Sequence, residues 1–161
     1  MSQEPIRFGL LDEIRQGNRR MIGVLKGDKG LNVAEAISGL SLNERRNLLA
    51  RIQHWVDGGN GPKKWFHGFP NEKAYSMCFV FKLGDRRFYG YLCHPLQKEK
   101  PAMQACVLCS SAMKHKWETD PGEKKLTKHW SESDEARKVA VREISANTPN
   151  DDQKGKKQWR M

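Results

Sequence analysis

From Tyr75 onward the chain sets apolar residues at every second position. Met77, Phe79, Phe81 and Leu83 fall on one side, and Ser76, Cys78, Val80 and Lys82 on the other. A period of two belongs to the β-strand, whose successive side chains point to opposite faces. Gly84-Asp85 then suits a two-residue hairpin turn, because glycine supplies the positive φ such a turn demands. A second strand is expected over Arg87 to His94, ended by Pro95. The polar loop Gln97-Lys98-Glu99-Lys100-Pro101 leads to a third, from Met103 to about Ala112. Three consecutive antiparallel strands result, and any fold for this chain must accommodate them.

A helix precedes them. Leu42, Leu48, Leu49, Ile52, Trp55 and Val56 recur at helical spacing, with Arg45, Arg46 and Arg51 on the polar side. Ser41 and Glu44 have the spacing of a capping box, and Gly58-Gly59 supplies a stop. Further back, Leu10, Leu11, Ile14, Met21, Ile22 and Leu25 suggest a looser helix, after a short edge strand over Pro5 to Phe8. Past the third strand, Asp120-Pro121-Gly122 reads as a loop. A last helix is expected from Ser131 or Ser133 to Ile144, with a polar, disordered tail after Asn147. The expected divisions are an N-terminal extension with helix over 1–40, an α+β domain over 41–146 and a basic tail over 147–161.

Composition narrows the function. The 161 residues carry a formal charge of +10. The excess is uneven: residues 60–130 hold thirteen Lys and Arg against six Asp and Glu, whereas 1–59 hold nine against seven. A concentrated positive field draws polyanions, so nucleic acid is the expected partner, RNA before DNA. No apolar run approaches the roughly 20 residues of a spanning helix, and the first residues do not read as a signal peptide. The expectation is a cytoplasmic protein without membrane contact.

The four cysteines, Cys78, Cys93, Cys106 and Cys109, lie in apolar surroundings. Cys106 and Cys109 have ligand spacing, and Cys93-His94 could complete a zinc set. A strand, however, turns positions three apart to opposite faces, so buried thiols and no bound metal are expected. No glycine-rich nucleotide loop or nucleophile elbow occurs, and no cofactor is implied.

The order of elements over about residues 40–145 resembles the RelE/HigB/ParE superfamily of toxin-antitoxin toxins. The residues that carry the likeness are the helix Leu42–Val56 with Gly58-Gly59, the hairpin Phe79 to Tyr91, and an apolar strand running into Lys114-His115-Lys116. The resemblance implies a RelE-like α+β fold: N-terminal helices packed on a small antiparallel sheet of three consecutive strands, with a C-terminal helix. It also implies a metal-independent, ribosome-associated endoribonuclease held by an antitoxin protein. By the same resemblance Arg87, just after the hairpin turn, and Lys114 and Lys116, closing the last strand, belong to the catalytic site. The alternatives are a non-catalytic nucleic-acid-binding module and a ParE-like inhibitor of an enzyme such as gyrase, since a shared fold does not settle function.

The chemistry fits those residue types. Metal-free RNA cleavage needs the 2′-hydroxyl aligned on its phosphate, charge neutralised on the phosphate oxygens, and protons moved. Arginine grips two such oxygens at once, and His115 is the candidate for proton transfer. Lys63, Lys64, Lys82 and Arg86 are the expected phosphate contacts. Tyr89 and Trp117 are expected to stack on bases.

Overall fold

The computed structural model describes residues 6–17, 19–27, 30–96, 103–113 and 121–147. Its elements in chain order are strands β1 (Arg7–Leu10) and β2 (Arg20–Lys26), helices α1 (Val33–Ser38) and α2 (Leu42–Val56), and strand β3 (Phe66–Gly68). After a 3₁₀ turn (Lys73–Tyr75) come strands β4 (Cys78–Leu83), β5 (Arg86–Leu96) and β6 (Met103–Met113), then helices α3 (Pro121–Ser131) and α4 (Asp134–Asn147).

The expected hairpin forms, with Phe81 opposite Phe88 and Lys82 opposite Arg87. Gly84 turns it at φ +60, the left-handed region where a side chain is strained. β6 continues the meander, and a register shift at Tyr89/Gly90 bulges it. A Cβ on Gly90 would meet the Val107 carbonyl oxygen at 2.6 Å, so only glycine lets the two backbones approach there.

The sheet does not stop at three strands. It has six, in the order β1-β2-β6-β5-β4-β3, and it is mixed, because β2 runs parallel to β6 while every other pair is antiparallel. This corrects the RelE-like expectation of a small antiparallel sheet of three consecutive strands carrying N-terminal helices. The loose helix expected between Leu10 and Leu25 is instead the end of β1 and nearly all of β2. The physical reason lies in β2: Met21 through Leu25 are all buried. Ile22 and Val24 face the α1/α2 core, and Met21 and Leu25 face the α3/α4 core. A strand covered on both sides reads as an unbroken apolar run, which periodicity cannot tell from a helix.

Helices cover both faces. On one, Leu48, Ile52, Trp55 and Val56 of α2 pack with Phe66, Phe79, Phe81 and Phe88. Helix α2 starts as its sequence indicates: Glu44 N–H donates to Ser41 Oγ at 3.2 Å, and Ser41 N–H donates to Glu44 Oε1 at 3.0 Å. On the other face, Trp130, Ala136, Ala140 and Ile144 cover Tyr91, Met103, Ala105 and Val107. Helix α3 begins at Pro121, where a loop was expected. Proline at a first helical position costs no hydrogen bond, since that amide has no partner in any helix. The expected basic tail lies outside the described residues beyond Asn147. Among the described residues no helix is long and apolar enough to cross a membrane.

Candidate nucleic-acid interface

Strand alternation divides the basic residues of the hairpin between two faces. Phe81 and Phe88 are cross-strand partners in the α2-side core. The next pair, Lys82 and Arg87, therefore points to the other face. Arg86, paired with Leu83, turns back toward α2, where its charge helps hold the Glu44 carboxyl below its usual range, after the hydrogen bonds with Ser41. Arg86 is thus separated from Arg87, and the expected basic group is split.

Strand β3 adds a residue that sequence reasoning missed. His67 pairs with Val80 and lies half-buried on the sheet edge. Its Nδ1 is 2.7 Å from the Gly68 carbonyl oxygen. A carbonyl only accepts, so Nδ1 carries a proton, and in the neutral ring the lone pair is on Nε2. Burial lowers the His67 pKa most. The Gly68 bond opposes that shift, and the charges of Lys82, Arg87 and Lys63 lower it further. Lys82 and Arg87 share the His67 face of the sheet, Lys63 stands in the loop before β3, and in its neutral form the ring can take up a proton at Nε2.

Each cation reaches this place by a different route. Lys82 is at the end of β4, held by its N–H donating to the Trp65 carbonyl at 2.8 Å. Arg87 leans back over the hairpin turn. Its Nη1 donates to the Gly84 carbonyl at 2.6 Å and to the Arg86 carbonyl at 3.1 Å. Among the described residues its Nε and Nη2 have no acceptor, so one edge of the fork is open. Lys63 and Lys64 are exposed in the loop between α2 and β3. Arg20 anchors that loop: its Nη1 donates to the Trp55 carbonyl at 2.8 Å and to the Gly59 carbonyl at 3.0 Å.

Tyr89 does not offer a stacking face. It is 1% exposed and packs with Phe69, Cys78 and Val80. Its place opposite the α2 side leaves it under the α3 layer and not in solvent. Lys114, His115, Lys116 and Trp117 lie outside the described residues, which end at Met113 on β6. Trp65 is half-buried at the loop end, with the Arg51 guanidinium 5.7 Å from its ring centroid.

The cysteines serve packing. Cys106 lies in the core under α2 and Cys109 in the core under α3 and α4, so their sulfurs face opposite layers. Burial raises all four thiols, Cys78 and Cys93 to about 11. Among the described residues no group of three or more His, Cys, Asp or Glu side chains is gathered as a metal site. No protein-family model, curated protein or solved structure matches this chain.

Proposed function

We propose that this protein binds RNA across the β3–β5 surface and cleaves it without a metal, with His67 as the proton acceptor. The observation that carries the reading is the His67 imidazole, its Nδ1 2.7 Å from the Gly68 carbonyl oxygen, on the face of the sheet that also bears Lys82 and Arg87. A base beside cations is what attack by a 2′-hydroxyl on its own phosphate requires. His67 Nε2 takes the hydroxyl proton as the O2′–P bond forms. Arg87 and Lys82 neutralise the charge that grows on the phosphate oxygens. The P–O5′ bond breaks, the departing oxygen takes a proton from water, and the ends are a 2′,3′-cyclic phosphate and a 5′-hydroxyl. Lys114 and Lys116 are proposed to assist, because they follow β6 directly in the sequence. Carried further, the hairpin's likeness to RelE-type toxins extends the proposal to action at the ribosome and restraint by an antitoxin protein.

One observation favours a second reading, a binding module without catalysis. Arg87 already spends Nη1 on two carbonyls of its own turn, which leaves it fewer donors for a phosphate. Affinity and cleavage measured side by side separate the two. Replacing the exposed Lys64 should weaken association modestly and reduce its salt dependence by about one phosphate contact. Arg87→Ala should remove most cleavage, on the order of 3–4 kcal/mol of transition-state stabilisation, with a smaller loss of binding. Equal losses of binding at both positions, with no cleavage by the parent protein on message-carrying ribosomes, would establish the binding module.

A further inference from the structure

On the α2 side of the sheet, a partly buried arginine lines a cavity. The cavity, of about 650 Å³, opens between the end of α2, the loop that follows it and the sheet, and Arg20, Asn60, Leu92 and Gln104 are in its lining. Arg20 and Gln104 are partners in the parallel pairing of β2 with β6, so their side chains leave the sheet side by side. Both lie on the α2 face. Arg20 is over the Trp55 ring, and Gln104 is two residues from Cys106 of the α2-side core. Leu92, the partner of Cys106 on β5, packs against that core and stays half-buried. Lys82 and His67 also border the cavity but project from the opposite face. The rings of Trp55, Phe66 and Phe79 are buried and form a closed floor.

The donors of Arg20 are divided. Both Nη1 hydrogens are used, one on the Trp55 carbonyl at 2.8 Å and one on the Gly59 carbonyl at 3.0 Å. That leaves the Nε–Nη2 edge, whose two parallel N–H groups match the two oxygens of a carboxylate. Among the described residues nothing accepts from that edge and no carboxylate pairs with Arg20. The one acidic residue in the lining, Glu72, is ion-paired with Lys124 of α3. The side-chain amides of Gln104 and Asn60 likewise have no partner among the described residues. Burial lowers the Arg20 pKa, the mark of a charge drawn partly out of water. Such a charge without a counter-ion costs free energy, and a bound anion offsets that cost. Lys63, also in the lining, is exposed in its loop and adds attraction for an anion of any kind. The planar fork edge and the apolar Leu92 beside it are what favour an organic carboxylate over a phosphate.

We propose that this end of the cavity binds a small organic carboxylate, its two oxygens on the Nε–Nη2 edge of Arg20, beside the Gln104 amide, and its apolar stem on Leu92. This site does not rest on the RNA reading, whose strand residues project from the other face of the sheet.

The test is a titration of the full-length chain with sodium butyrate at constant ionic strength, followed through the Arg20 Nε–H and Gln104 side-chain amide NMR signals. Butyrate should shift both signals saturably, in the millimolar range expected of so small a ligand. Butyramide, uncharged and of the same shape, should bind about tenfold more weakly, and so should acetate, which lacks the stem. Gln104→Glu is the informative variant. It sets a carboxylate beside Arg20 within the chain, so butyrate binding should be lost and the urea midpoint should rise. Arg20→Lys should weaken butyrate binding about tenfold, because an ammonium cannot meet both oxygens at once. Since Arg20 also holds the end of α2, Gln104→Glu decides the matter if that variant does not fold. No saturable shift in the parent protein would overturn the proposal. So would butyramide or inorganic phosphate binding as tightly as butyrate, or a Gln104→Glu protein that binds butyrate as the parent does.

Discussion

Arg20 is the residue whose removal should do most to loosen the approach to the site. Its guanidinium donates to the Trp55 and Gly59 carbonyls and lies 4.9 Å from the centroid of the Trp55 ring. Trp55 is in the last turn of α2, where carbonyls have no partner within the helix. Arg20→Met keeps the length and most of the apolar stem while removing the charge and the donors. Two hydrogen bonds from a charged group contribute about 1.5–3 kcal/mol each when fully formed. Interaction with the helix end adds about 0.5 kcal/mol. Against these stands the cost of burying the guanidinium, visible in the burial that lowers its pKa. The net loss expected is about 2–3 kcal/mol. With a urea slope near 2 kcal/mol per molar, the unfolding midpoint should fall by about 1 M. Urea denaturation followed by tryptophan fluorescence reads this directly. An unchanged midpoint with an unchanged slope would show that Arg20 does not hold the α2 terminus, and the account of how Lys63 and His67 are positioned would lose its anchor.

Other expectations are simpler to check. Because burial raises all four thiols, a disulfide reagent at pH 8 should label none of them in the folded protein and four in denaturant. Fast labelling of Cys93 in the native state would contradict its packing. His67 has a folded pKa below its ordinary 6.5, so the unfolded chain binds a proton first as pH drops. Stability should therefore fall as pH goes down through about 6.5, until folded His67 also protonates. Glu13 and Glu44, lowered from 4.5, contribute their losses only at more acidic pH, so the two windows separate. His67→Gln should flatten the slope between pH 7 and 5, and equal slopes in both proteins would refute the assignment. Gly84→Ala should cost about 1 kcal/mol in thermal or urea unfolding, because alanine is strained at φ +60. A neutral result there would mean that the turn relaxes.

How far the sequence could be read follows from local and non-local causes. Helix α2 and the β4–β5 hairpin were legible because their signals are local: a capping box, an apolar stripe, and a glycine between two alternating runs. Strand β2 was not, because both of its faces are covered and nothing in Met21–Leu25 alternates. Helix α3 hid behind Pro121-Gly122, a pair that marks turns more often than helix starts. The site divided in the same way. Arg87 and Lys82 could be paired across the turn from the register alone. Tyr89 shares their face, but its burial depends on Phe69 and on α3, both distant in sequence. His67 lies on a strand of three residues, too short for any period to show. Its neighbours Lys82 and Arg87 reach it only through sheet pairing.

The central claim is that His67 is a base beside a cationic phosphate site, and end-mapped RNA cleavage tests it most directly. The purified protein should be given RNA, both free and as message on ribosomes, and compared with its His67→Gln variant from pH 5 to 8. The account predicts products ending in 2′,3′-cyclic phosphate and 5′-hydroxyl, at a rate that rises with pH to a plateau reached by about pH 7. The variant should retain RNA affinity and lose about 10²–10⁴-fold in rate. Cleavage that His67→Gln leaves intact, or no cleavage by the parent protein on either substrate, would contradict it.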